Sequence, residues 1–149
     1  MNTIILSSNS NFETSLNEMV SHNHNEEHLI GSPDWGESKN WLYKDLIVHF
    51  RATGEESNPP IVLIHGFGAS SDHWRNNAEV FASEGFRVYG IDLIGFGRSE
   101  QNLQGKIKYL DNQIWASQLA SFIDEIVDIK RNGKVILIGN SLGALTAIT

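Results

Sequence analysis

The residues best suited to chemistry are Gly139-Asn140-Ser141-Leu142-Gly143, which follow directly on the apolar run Val135-Ile136-Leu137-Ile138. A short apolar strand, a glycine-flanked serine and then Leu142, Ala144 and Leu145 read as strand, tight turn and helix, the arrangement of a nucleophile elbow. At such a turn the apical side chain is forced to a φ above zero, and a Cβ two residues before or after it would collide across the bend. Gly139 and Gly143 hold those two places. Ser141 is therefore the candidate catalytic nucleophile, projecting at the C-terminal edge of a sheet, where a hydroxyl can attack an acyl carbon. The plainer alternative is a glycine-flanked turn carrying a surface serine.

A second stretch, His65-Gly66-Phe67-Gly68, follows the apolar run Ile61 to Ile64, and its glycines let a loop bend back over the sheet edge toward the elbow. Acyl transfer concentrates negative charge on one oxygen, and a single preset backbone N–H aimed at it contributes about 3 kcal/mol. The amides of Phe67 and Leu142 are the two expected donors of this oxyanion hole. His65 is expected to be packed and hydrogen-bonded rather than catalytic. A third stretch, Asp92-Leu93-Ile94-Gly95-Phe96-Gly97-Arg98-Ser99, follows the run Phe86 to Ile91 and turns past the same edge. Asp92 is expected to brace that loop through hydrogen bonds.

The elements that must position these residues are legible from periodicity. Trp41 to Tyr43 and Leu46 to Phe50, separated by Lys44-Asp45, read as an antiparallel hairpin, and Thr53 to Pro60 as a polar loop. The runs Ile61–Ile64, Phe86–Ile91 and Val135–Ile138 are continuous rather than alternating, as in parallel strands covered on both faces. A helix is predicted from about Trp74 to Glu84, capped by Ser71 or Asp72 and stopped by Gly85. Another is predicted from Asp111 to Arg131, where Trp115, Leu119, Phe122, Ile123, Ile126 and Val127 keep helical spacing. Alternating strands and helices imply βαβ crossovers, an α/β fold.

Composition narrows the classes. Of the 149 residues 40% are hydrophobic and 19% charged, enough for one packed domain. No apolar run approaches the roughly 18 residues of a membrane-spanning helix. There is no cysteine, which removes disulfides, thiolate metal sites and a cysteine nucleophile. The formal charge of −7 is concentrated in the first 38 residues, which hold six acids and no Lys or Arg, leaving the remainder nearly neutral and without a basic stripe for nucleic acid. Residues 1–38 are accordingly expected to form a disordered acidic tail, and 39–149 the domain. His22, His24 and His28 lie within that tail, and with no acid or cysteine completing a ligand set they are read as solvated rather than metal-binding. Lacking an early basic segment, the chain is expected to be cytoplasmic.

Taken together, HGFGASSDHW at 65–74, DLIGFGRS at 92–99 and GNSLG at 139–143 resemble the α/β-hydrolase superfamily, over roughly residues 41 to 149. The wording is most similar to the cyanobacterial and plastid branch related to pheophytinase and other chlorophyll-ester hydrolases. The resemblance implies an antiparallel hairpin plus three parallel strands with crossover helices, with Ser141 as nucleophile and Phe67 and Leu142 as oxyanion donors. It implies hydrolysis of a carboxylic ester, an apolar small molecule, through an acyl-enzyme, with no cofactor and no metal. In the family the triad acid and histidine follow the serine, usually with a lid domain between, whereas all six histidines here precede Ser141 and no Asp or Glu follows it. The chain therefore reads as the N-terminal part of such a hydrolase, inactive alone and prone to aggregate through an exposed Val135–Ile138 edge. A non-catalytic ligand-binding or receptor-like protein on the same fold stays open. A dinucleotide site at Gly66-Phe67-Gly68-Ala69-Ser70-Ser71 fits less well, because Ser71 stands where the third glycine belongs. Epoxide and halide hydrolases of this fold normally carry aspartate at the elbow apex, where this chain has Ser141.

Overall fold

A computed structural model describes residues 3–6, 35–127 and 133–149. Six strands form one mixed sheet: β1 (Thr3–Leu6), β2 (Glu37–Tyr43), β3 (Leu46–Thr53), β4 (Pro60–Ile64), β5 (Arg87–Ile91) and β6 (Ile136–Asn140), in the spatial order β1-β6-β4-β5-β3-β2. β4, β5 and β6 are parallel, β2 and β3 form the predicted hairpin, and β3 continues the sheet antiparallel to β5. The hairpin turns at Lys44 and Asp45, both at positive φ (47° and 62°), the backbone a two-residue turn needs to match strand twist.

Every residue of β4 and β5 is buried. The two faces of the sheet carry separate cores, and alternation along β4 feeds both: Val62 and Ile64 join Trp41, Phe50, Trp115 and Phe122, whereas Ile61 and Leu63 join Trp35, Trp74, Phe81 and Val88. The second layer comes from α1 (Arg75–Ser83), whose Ala78 and Phe81 are buried, entered through a 3₁₀ turn at Ser71–Trp74. Ser70, one residue before the expected cap, accepts from the Asp72 amide, and Gly85 at φ +86° ends the helix as predicted. The first layer is covered by α2 (Asn112–Phe122), capped by the Asp111 carboxylate, which accepts from the Ile114 amide. α2 passes into one π turn at Ile123–Val127, and residues 128–132 lie outside the described set. A short α3 (Leu142–Ala147) leaves the end of β6.

Two expectations need correction. Residues 1–38 are not wholly a tail: Thr3–Leu6 pair antiparallel with Leu137–Asn140, and β2 begins at Glu37. Trp35 is 2% exposed, with its indole N–H donating to the Ser71 carbonyl at 3.1 Å. Thr3–Leu6 is too short a stretch to stand out within a polar segment, and it is the edge of β6 that pairs it; Trp35 is buried in the core formed with Ile61 and Leu63. Consequently β6 is not left as an open edge, because β1 takes its outer hydrogen bonds. Residues 7–34, including His22, His24 and His28, lie outside the described set. Among the described residues no helix is long and apolar enough to cross a membrane.

Candidate active site

The three parallel strands deliver the three sequence stretches to one edge. His65 follows β4, Asp92 follows β5 and Ser141 follows β6, all at C-terminal strand ends, where open α/β sheets place their ligand crevices.

Ser141 has φ 52° and ψ −113°, a conformation that costs a non-glycine residue about 1–3 kcal/mol and persists only where packing dictates it. The packing is visible around its neighbours. A Cβ at Gly139 would lie 2.4 Å from the Gly143 carbonyl carbon, and one at Gly143 would lie 2.2 Å from the Ile64 carbonyl oxygen and 2.7 Å from that of His65. The elbow is thus clamped against the end of β4. Ser141 itself is exposed.

The HGFG loop meets the elbow directly: a Cβ on Gly66 would sit 3.3 Å from the Asn140 carbonyl oxygen and 3.4 Å from the Ser141 Cβ. Gly66 accepts from the Ala69 amide at 3.2 Å across a turn with Gly68 at φ +70°, so the Phe67 peptide is held at the turn's corner. The Phe67 ring is 78% exposed and packs edge-on against Phe96, 5.2 Å between centroids. Leu142 opens α3, so its N–H is one of the donors a helix leaves without an internal acceptor. Leu142 thus follows Ser141 directly in the chain, and Phe67 follows Gly66, whose Cα faces Ser141.

His65 is buried, and both ring nitrogens are engaged. Nδ1 donates to the Gly66 carbonyl at 2.7 Å and Nε2 accepts from the Leu93 amide at 3.0 Å. Burial pushes its pKa below the ordinary histidine value, which agrees with a neutral imidazole bridging two loops. It is a structural residue, as expected, and offers Ser141 no base.

Asp92 is fully buried. Burial alone would raise its pKa, but the hydrogen bond from His49 and the amides of Arg98 and Ser71 outweigh it and hold the carboxyl at about 2. His49 Nδ1 donates to Oδ2 at 2.9 Å, the Arg98 amide donates to the same oxygen at 2.8 Å, and the Ser71 amide donates to Oδ1. The Asp92 carbonyl accepts from Ser99 Oγ at 2.7 Å and Gln118 Nε2 at 3.1 Å. Gln118 Oε1 in turn accepts from the Ile94 amide at 3.0 Å. Asp92 braces its loop as expected, and the Ser71 contact extends the brace to the segment after HGFG.

The pairing of Asp92 with His49 was missed by sequence reasoning. The available signal was a histidine inside the otherwise apolar β3 run, where a buried imidazole requires a polar partner. Its Nε2 faces Ser38 Oγ at 2.8 Å, and its amide donates to Ser99 Oγ at 2.9 Å. Among the described residues no histidine is hydrogen-bonded to Ser141, and no group of three or more potential metal ligands occurs.

Comparison with known proteins agrees with this fold. The family described as alpha/beta hydrolase fold matches residues 59–149. The chain is similar to a 2-hydroxy-6-oxononadienedioate/2-hydroxy-6-oxononatrienedioate hydrolase of Burkholderia vietnamiensis, 32% identical over 70% of this chain and 34% of that protein. It is also similar to epoxide hydrolase 4 of Mus musculus, 33% identical over 68% of this chain and 26% of that protein. Among solved structures, a thioesterase domain from the curacin biosynthetic pathway superposes with a TM-score of 0.65 at 25% identity, covering 76% of this chain and 38% of that one. The chain thus spans about a third of the length of the relatives it matches.

Proposed function

Because the chain belongs to the α/β-hydrolase fold family, we propose that it carries the nucleophile and oxyanion hole of a serine hydrolase whose complete protein cleaves a carboxylic ester through an acyl-enzyme. The observation that carries this reading is Ser141 at φ 52° on a turn clamped by Gly139 and Gly143. Strain of this kind at an exposed serine that opens a helix is the preorganisation acyl transfer uses. Ser141 attacks the acyl carbon, and the Phe67 and Leu142 amides receive the charge that develops on the carbonyl oxygen. The proton and the leaving group are handled by an acid and a histidine supplied from beyond the described residues.

A serine rather than an aspartate at the apex favours acyl chemistry over the epoxide opening named in some relatives, and the thioesterase domain supports the same class. The similarity of HGFGASSDHW and GNSLG to the pheophytinase branch makes a bulky apolar ester, acting in the cytoplasm, the first substrate to try. A non-catalytic binding role on the same scaffold is the second reading; an intact serine and both elbow glycines count against it. The test is turnover of p-nitrophenyl esters by the complete parent protein, with a phosphonate adduct mapped to Ser141. Ser141→Ala is expected to lower kcat/KM by at least about 10³-fold. Undiminished turnover in that variant would refute the assignment.

A further inference from the structure

We propose that Ser38, His49 and Asp92 form a second serine–histidine–carboxylate relay, making Ser38 an acyl-accepting serine independent of the elbow. Ser38 lies on β2, exposed on the far side of the sheet order from Ser141, and its Oγ is 2.8 Å from His49 Nε2. His49 Nδ1 is 2.9 Å from Asp92 Oδ2. Only 3% of His49 is exposed and none of Asp92, so both supporting groups are held out of water while the hydroxyl is reachable.

The roles follow from the donors available. An ionised carboxylate only accepts, so Nδ1 must carry a proton, and in the neutral imidazole Nε2 is then free to accept from the Ser38 hydroxyl. This is the tautomer a triad requires, and triads are defined by such geometry rather than by chain order. The Asp92 oxygens are fixed by the Arg98 and Ser71 amides, and the His49 backbone by Ser99 Oγ, so the relay does not depend on flexible parts. Among the described residues Ser38 is the serine whose hydroxyl has a histidine base, which Ser141 lacks. Towards an activated acyl ester, Ser38 Oγ would form a bond to the acyl carbon as its proton passes to His49 Nε2. The bond from that carbon to the leaving oxygen breaks, and the departing alkoxide takes the proton from the imidazolium.

The test uses the 149-residue chain with a fluorophosphonate, whose P–F bond breaks to release fluoride as the serine O–P bond forms. Adducts are mapped by peptide mass in a Ser141→Ala background, so that failure of the elbow assignment cannot be mistaken for failure of this one. A base-assisted serine reacts at least about tenfold faster than an unassisted one. The adduct at Ser38 is therefore expected to form at least tenfold faster than at exposed Ser57, to vanish in Ser38→Ala, and to fall to the Ser57 rate in His49→Gln. Ser38→Ala lies on an exposed strand position and keeps the experiment interpretable if His49→Gln does not fold. A Ser38 rate no greater than that of Ser57, or no adduct at Ser38, would overturn the relay and leave a purely structural hydrogen bond.

Discussion

The clamp on the elbow can be measured through Gly143→Ala. In an unstrained helix this change would stabilise, since Ala is favoured over Gly by about 1 kcal/mol. Here the new methyl would lie 2.2 Å from the Ile64 carbonyl oxygen, 2.6 Å from its carbon and 2.7 Å from the His65 carbonyl oxygen, all of them backbone atoms of a buried strand end. Ile64 is held in both ladders, opposite Ile91 of β5 and Gly139 of β6, so its carbonyl cannot move away without disturbing them. Overpacking costs typically about 1–3 kcal/mol, and immovable neighbours put this site at the upper end, about 3 kcal/mol. Gly85→Ala is the control: it meets nothing within 4 Å and suffers only from φ +86°, a cost of about 1 kcal/mol. Urea unfolding followed by tryptophan fluorescence suits the comparison, because Trp35, Trp41, Trp74 and Trp115 are all at most 8% exposed. With a slope of about 2 kcal/mol per M, the Gly143 variant should lose about 1.5 M in midpoint and the Gly85 variant about 0.5 M. A Gly143→Ala midpoint equal to or above that of Gly85→Ala would mean that the turn is not held by contact with β4.

Three further outcomes are expected. Asp92 ionises near pH 2 in the folded chain against 3.8 unperturbed, so its contribution is complete above about pH 4 and lost as the pH falls toward 2. That loss amounts to about 2 kcal/mol, and Asp92→Asn should flatten this limb of a stability-versus-pH curve; an unchanged limb would assign it to other carboxyls. Ser99→Ala removes one hydroxyl serving both the His49 amide and the Asp92 carbonyl, and should cost about 2–3 kcal/mol by urea unfolding, against a negligible change for exposed Ser57→Ala. Deleting residues 1–6 strips β1 from β6, and sedimentation should show more oligomer than in the parent chain; an unaltered distribution would mean that β1 does not guard that edge.

What the sequence made legible was whatever depends on neighbours in the chain. The buried strands announced themselves through continuous apolar runs, and the elbow through Gly139 and Gly143, because steric demand at a turn is set within a few residues. Likewise Asp111 and Gly85 marked the two ends of helical segments, since caps act locally. What stayed hidden were pairings between distant segments. His49 and Asp92 are 43 positions apart and Ser38 lies on a third strand, so no periodicity links them. The Thr3–Leu6 strand was hidden for the same reason: four residues carry little signal until β6 offers an edge to complete.

The elbow and the HGFG loop are one mechanical unit rather than two adjacent features. Gly143 packs on the carbonyls of Ile64 and His65, while Gly66, next in the chain, packs on Asn140 and Ser141. The strain at Ser141 is thus sustained by the same residues that set the Phe67 amide, so the proposed nucleophile and the proposed oxyanion donor cannot drift independently. A graded response follows. Gly66→Ala meets its nearest atom at 3.3 Å rather than 2.2 Å, so its stability cost should be well below that of Gly143→Ala, about 1 kcal/mol. Yet it displaces the loop relative to the serine by a few tenths of an ångström, and if the proposed ester hydrolysis holds, a misplacement on this scale should lower its kcat more than KM changes, by about tenfold. If Gly66→Ala instead lost stability and activity in proportion, with the full effect explained by unfolded protein, the loop would be a scaffold and not part of the catalytic geometry.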